Sequence, residues 1–486
     1  MRDDGIREDC DIRAGTHFLL ILAAYFLVQI VLRVTSPAVL DLDESEAILS
    51  FQRLQPGYGT QPPLYFWLQW LMFSLFGVNL FALSVLKNLL LLCTYVALFH
   101  TARALIGMRG AIMVAGSLVL FPQIGWESQR DLTHSVLVTC VAALTLWCYV
   151  GLLRQRGKMR YALLGLLIGL GLESKYNFAV FALGLAAASL LVREHRQAVW
   201  NRNGWITAAI LLLSLAPHGL WLFEHLDLAT GATRAKMHQH DAGYAANVAR
   251  GLGSMASAAF LFVTPVWIVY GWIYWRHRKE APARLDRPEA RFFLWFYGAV
   301  FACVTALVLS GELTSIKGRW MQPLLFLSPL AFFVIFPALV RSTVCRAILW
   351  TAGVFVIAIL TGLSARAHFG KNMQAPFAEL SAQLTLRFPH ANTVVAGELT
   401  DAANLYLHHP AWTVVLLPQI VQSRPVIRGE VLLIDSGDRL GNWLDSFLDT
   451  YPSSVVRQRG RFDVGNPKDR QGAIAVDYAL VSVKEE

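Results

Sequence analysis

Long apolar runs separated by short polar stretches fill the first three quarters of the chain, near 17–34, 83–105, 110–124, 133–153, 160–173, 176–192, 205–222, 252–275, 292–310, 320–340 and 346–363. A hydrocarbon core of roughly 30 Å takes about 20 helical residues, so this pattern predicts about eleven transmembrane helices. The stretch "PPLYFWLQWLMFSLFGVNLF" at 62–81 is apolar too, but it opens on two prolines and is rich in aromatics, which fits a helix lying in the membrane interface. After residue 364 the pattern changes to short β-branched runs, "TVVAGELT", "WTVVLLP", "GEVLLIDSG" and "AIAVDYALVSV", divided by Pro, Gly and polar turns. With helices expected at 401–408 and near 440–450, residues 364–486 read as a soluble α/β domain following a transmembrane domain of residues 1–363. The expected fold is therefore a mainly α polytopic membrane protein with a C-terminal α/β domain.

Composition agrees. The chain of 486 residues is 55% hydrophobic and only 15% charged, with 15 Trp and 28 Phe; charged residues make up about a quarter of an ordinary soluble protein. No small-residue cleavage site follows the first apolar run, so that run is expected to remain as a helix. Cys10, Cys93, Cys140, Cys148, Cys303 and Cys345 lie in the N-terminal tail or in apolar runs and offer neither a disulfide framework nor a metal-binding spacing. Lys and Arg gather in alternate loops, "RQRGKMR" at 154–160, "REHRQAVWNR" at 193–202 and "RHRKEAPARLDRPEAR" at 276–291. Because such residues accumulate on the cytoplasmic side, the acid-rich loops and the C-terminal domain are expected outside.

The densest acid of the chain follows the first run directly. "DLDESEAILSF" places Asp41, Asp43, Glu44 and Glu46 within six positions. Asp43 is an allowed helix N-cap, and Glu46 stands where a capping-box partner would, which explains two of the four. Asp41 and Glu44 remain, and like charges this close repel unless a cation, a basic partner or solvent compensates.

An outer Asp-Glu just after the first span, followed about twenty residues on by "QPPLYFWLQWLMFSLFGVN", resembles the first-loop signature of the protein O-mannosyltransferase and aminoarabinose transferase superfamily. "GLLIGLGLESKYNFAVFAL" is similar to its Gly-Leu-rich segment ending in Lys, and "SIKGRWMQPLLFLSPLAFF" to its late basic segment, so the resemblance runs over residues 17–340. It implies a GT-C fold and an inverting glycosyltransferase that draws on a polyprenyl-phosphate sugar, with no nucleotide sugar, no cofactor and no obligatory metal. A lipid or glycan acceptor is implied, by likeness to lipid A and core-modifying members a lipopolysaccharide, in a bacterial inner membrane; no nucleic-acid partner is expected.

The same resemblance assigns the essential carboxylate to Asp43, with Glu44 beside it. A hydroxyl attacking an anomeric carbon must lose its proton, and a positioned carboxylate takes it; for a phosphate acceptor Asp43 would orient instead. A lipid-phosphate leaving group calls for cations, and the outward candidates are Arg130, Lys175, Lys317 and Arg319. Lys317 and Arg319 also suit interfacial anchoring, whereas Lys175 lies between two short apolar runs, where a charge is functional by default. Where the family often has Lys before the Pro-Pro pair this chain has Gln61, which leaves that phosphate contact to other residues. The family's second acidic site falls on Asp131, with His134 as the competing register. Gln61, Tyr65 and Trp67 suit a donor or acceptor groove, and Tyr65, Phe66, Trp67 and Trp70 suit an aromatic belt equally well.

Other motifs carry less. "HQHD" at 238–241, near His225 and Asp227, offers metal-ligand types but equally ordinary loop residues. The glycines of "GLLIGLGLE" read as helix-packing positions. The competing function is a lipid-linked sugar flippase or transporter, which would show repeated halves and ionisable residues in the middle of several spans; here the acids cluster at the outer ends.

Overall fold

The computed structural model describes residues 2–52, 54–237, 243–418, 420, 425–437, 439–465 and 474–483. It comprises two compact units, Met1–Gln29 with Gln55–Tyr65 and Lys87–Leu360, and Ile30–Leu54 with Phe66–Leu86 and Thr361–Glu486.

Among the described residues eight helices are long and apolar enough to cross a membrane, nine if the bent pair Phe178–Leu191 and Arg193–Val199 forms one span. The difference from the expected eleven has local causes. The runs at 83–105 and 110–124 fold as two helices within Leu80–Ser117 that break at Gly107, whose φ of 77° is open to glycine and costly for other residues, and the second is too short to span alone. The run at 160–173 folds as Lys158–Ser174, only 17 residues long. The aromatic stretch after the two prolines forms the helix Leu64–Phe76, whose 13 residues are too few to cross a bilayer.

In the first unit the spans divide by burial. His134–Arg154 and Gly318–Ile335 are 78% buried, while Gly204–Glu224 is 6% buried. The latter exposes Leu212, Leu213, Leu220 and Phe223, an apolar surface suited to lipid. The glycines of "GLLIGLGLE" do pack closely: a Cβ on Gly165 would strike the Thr207 carbonyl oxygen and one on Gly169 the Ser214 hydroxyl, so Lys158–Ser174 and Gly204–Glu224 touch backbone to backbone. Two buried helices that begin at His134 and Gly318 thus form the inner part of this unit.

The second unit is built on a five-stranded sheet in the order β2-β1-β3-β5-β4, with β1 Thr393–Ala396, β2 Thr413–Leu416, β3 Gly429–Asp435, β4 Val455–Val464 and β5 Ile474–Val483. β2, β1 and β3 run parallel, and β5 pairs antiparallel with both β3 and β4. Both faces are covered, which is why the inner strands read as unbroken apolar runs. Phe377, Leu380 and Leu384 of the helix Phe377–Arg387, with Ala402 and Leu405 of Leu399–His408, pack on one face against Val394, Leu432, Ile434 and Val476. On the other face Leu440, Leu444 and Phe447 of Leu440–Thr450 meet Val395, Val431, Leu433 and Val481. Val39, from the stretch before the acidic helix, belongs to the first of these cores, and Leu49 packs against it. β4 is an edge strand, and its Arg457, Arg459 and Arg461 are exposed.

Candidate active site

The acidic stretch folds as the helix Leu42–Ser50 in the second unit. Its N-cap is Asp41, in extended conformation and without a side-chain cap bond, so the capping box expected from Asp43 and Glu46 does not form as such. The reason is tertiary. Both oxygens of the Asp41 carboxylate accept from Arg366 Nη2, at 2.7 Å each, which draws that side chain away from the helix amides. Glu44, 1% exposed, accepts from Arg33 Nη2 at 2.7 Å. Arg33 also donates to the carbonyls of Val39 at 2.8 Å and Pro37 at 3.4 Å. Asp41 and Glu44 are thus each compensated by an arginine. Glu44, expected to act beside Asp43, has the setting of a buried ion pair, whose loss of one partner would strand a charge. Asp43 sits half-buried in the helix's first turn.

The first unit gathers most of the remaining candidates around Ser135. Lys175, at the end of Lys158–Ser174, donates from Nζ to Ser135 Oγ at 2.7 Å. Gln322 Nε2 reaches the Ser135 carbonyl at 3.4 Å from the helix Gly318–Leu325, whose N-cap position is Lys317 and whose second residue is Arg319. Asn177 Nδ2 donates to the Trp320 carbonyl at 2.9 Å, tying the segment after Lys175 to the same helix. His134 opens the helix His134–Arg154 and donates from Nδ1 to the Ser174 carbonyl at 3.3 Å. Its ring lies 5.2 Å from that of Tyr65. Lys175, the 317–322 segment, His134 and Tyr65 thus meet where two helices begin and one ends. Helix N-termini carry unsatisfied N–H groups and partial positive charge, so this corner suits an anion.

Asp131 lies at the C-cap of the short helix Ser128–Arg130 and is 9% exposed, three residues before His134. The two competitors for the second site stand in one turn of chain, Asp131 before the helix and His134 at its head. Arg130 is engaged by Glu127, Nε at 3.1 Å and Nη2 at 2.7 Å, which occupies the guanidinium fork expected to take phosphate. Tyr65 and Phe66 are fully buried, against the belt reading, while Trp67 is half-buried and Trp70 exposed. Gln61 pairs with Tyr58 in a tight turn, N–H to carbonyl at 3.1 and 3.2 Å. That turn is seated on Gly204–Glu224: His218 Nδ1 donates to the Pro56 carbonyl at 2.7 Å, and Gly57 lies against Trp221, where a Cβ would not fit.

Three residues escaped the sequence reading. Arg33 and Arg366 were hidden because their acids lie 11 and 325 positions away. Lys87 is 3% exposed within Leu80–Ser117, next to Asn88, which accepts from Gln129 Nε2 at 2.9 Å. A lone Lys in an apolar run was the available signal. Residues 238–241 lie outside the described residues; among those described, no group of three or more His, Cys, Asp or Glu is placed to hold a metal ion.

The profile of the dolichyl-phosphate-mannose-protein mannosyltransferase family matches residues 60–221. The lipopolysaccharide core galacturonosyltransferase RgtB of Rhizobium johnstonii is 32% identical over 455 residues, 88% of this chain and 91% of its own. The chain belongs to the GT-C superfamily of membrane glycosyltransferases. This GT-C glycosyltransferase is also 29% identical over 459 residues to the core galacturonosyltransferase RgtA of the same organism, with 91% of each chain covered. In fold it is similar to ArnT from Cupriavidus metallidurans, crystallised with undecaprenyl phosphate, at a TM-score of 0.63 and 13% identity, covering 95% of this chain and 98% of that one. The multi-pass helical domain and small C-terminal sheet are thus those of a GT-C enzyme.

Proposed function

We propose that this enzyme transfers a uronic acid, galacturonic acid in the first instance, from a polyprenyl-phosphate donor to lipopolysaccharide on the outer face of a bacterial cytoplasmic membrane. The observation that carries the reading is the corner around Ser135. Lys175 and the N-termini of two buried helices converge there, the chemistry a lipid phosphate requires as it leaves. The names of the relatives RgtB and RgtA support the sugar and the acceptor, and the lipid in the ArnT crystal supports the donor class. The clustering of Lys and Arg in alternate loops supports the outward orientation.

An acceptor hydroxyl oxygen attacks the anomeric carbon from the face opposite the phosphate. The new C–O bond forms as the bond to the phosphate oxygen breaks, and the configuration inverts. The electron pair leaves with the polyprenyl phosphate, whose growing charge is met by Lys175, with Lys317 and Arg319 at the head of Gly318–Leu325. The hydroxyl proton requires a carboxylate to take it, the role that the sequence resemblance gives to Asp43. Glu44 holds the acidic helix through Arg33, and Asp131 or His134 completes the second polar site. No metal takes part in this scheme.

The full chain in lipid nanodiscs, supplied with a polyprenyl-phosphate galacturonic acid and lipopolysaccharide, should add one hexuronic acid per turnover by mass spectrometry. Asp43→Asn should lower the rate by about 100-fold or more while the protein remains folded. An unconsumed donor overturns the donor class, and an Asp43→Asn enzyme as fast as the parent overturns the base.

A further inference from the structure

We infer that the helix Leu399–His408 is the seat on which the first acidic loop is held, and that Asn404 is a positioning residue for transfer. The inference rests on the reading of Asp43 as the base and extends it to the C-terminal domain. The residues leading into the acidic helix are each anchored to residues 361–486 by a different group. The Ala38 carbonyl accepts from His408 Nε2 at 2.9 Å. Val39 is part of the apolar core that includes Leu405 and Leu380. The Leu40 amide donates to Asn404 Oδ1 at 2.9 Å, a buried bond. Asp41 is gripped by Arg366 through both carboxylate oxygens.

Asn404 is the centre of this arrangement. It is fully buried, and its Nδ2 donates to the Thr400 carbonyl at 2.8 Å, one turn back in its own helix. That bond fixes the amide so that Oδ1 faces Leu40, whose N–H can only donate. Removing Oδ1 leaves a buried N–H without its acceptor and loosens the chain at the point where the helix begins. Asp43 is three residues further on, about one turn of helix from the bond. Arg33 grips the same stretch through the carbonyls of Pro37 and Val39. The loop is thus set from both sides, with the C-terminal domain supplying the larger share. A catalytic group displaced by about 1 Å can lose about 100-fold in rate, so a seat of this kind sets kcat rather than affinity for the donor.

The test uses the full chain in nanodiscs. Asn404→Leu should lower kcat about tenfold or more with donor KM within about twofold, and speed hydrogen exchange of the Leu40 amide. Asn404→Asp keeps an acceptor for Leu40 but loses the N–H that the Thr400 carbonyl accepts, so it should recover part of the rate. Where Asn404→Leu fails to fold, half-buried His408 offers the same comparison: His408→Ala slows transfer and His408→Gln, which keeps a donor, restores it. Parent-like kcat in Asn404→Leu together with fast Leu40 exchange overturns the inference. So does an equal loss in the Leu and Asp variants. If Asp43→Asn stays fully active in the same assay, the reading of Asp43 fails instead, while Leu40 exchange still reports whether the helix holds the loop.

Discussion

Two charged regions of this enzyme are held by different sets of contacts. In the acidic loop, Asp41 and Glu44 meet Arg366 and Arg33 in ion pairs that are largely withdrawn from solvent. Around Ser135, Lys175 is tethered by a hydroxyl, among carbonyls and helix N-termini. A buried ion pair fixes the geometry of the chain that carries it, and the Ser135 hydroxyl positions the Lys175 ammonium group beside two helix N-termini, where an anion would be favoured. The first region has the traits of scaffold around Asp43, and the second those of a phosphate seat.

That contrast can be broken, beginning with the largest effect. Glu44→Ala leaves the Arg33 guanidinium buried without its carboxylate and should destabilise the enzyme by about 3–5 kcal/mol, read as a lower melting temperature in detergent. Replacing both partners with apolar residues should recover much of the loss. If Glu44→Ala instead kept its stability and lost only activity, Glu44 would belong with the chemistry. Lys175→Met should do the reverse, raising donor KM about tenfold with little change in melting. A Lys175→Met enzyme with unchanged KM would remove the phosphate seat.

The smallest effect lies in the C-terminal domain. Burial pushes the Asp401 carboxyl up from its ordinary 3.8, with Ser436 opposing and Glu398 and Asp435 adding to the rise. A raised folded value means the folded state holds this proton more tightly than the unfolded one. Stability is then greatest below the unfolded value and falls as pH climbs through the folded value. Asp401→Asn should melt slightly higher than the parent at neutral pH, with the difference closing as pH falls through the raised folded value and gone below about 3.8. A variant that melts lower at neutral pH would show that the Ser436 bond outweighs the burial.

The sequence exposed those features that one stretch of chain decides. The run at 205–222 is the helix Gly204–Glu224, and the expected helices at 401–408 and 440–450 appear as Leu399–His408 and Leu440–Thr450. "TVVAGELT" and "AIAVDYALVSV" contain β1 and β5, whereas β4, with its arginines and one covered face, lacked an apolar run to announce it. The acidic loop was conspicuous, yet its capping pattern misled, because Asp41 is committed to Arg366, 325 residues away. Local pattern ranks acids by their neighbours in the chain, and folding ranks them by their partners in space. Convergence on Ser135 was equally invisible, since it joins positions near 134, 175 and 320 through single hydrogen bonds.

The outermost strand of the sheet bears on how many copies of this enzyme can share a membrane. Among the described residues β4 has a neighbouring strand on one side only, the kind of border onto which a second molecule can add its own sheet. Arg457 and Arg459 stand exposed on that strand and Arg461 lies beside Asp477, charged side chains of the kind that make an edge strand a poor template for a second sheet.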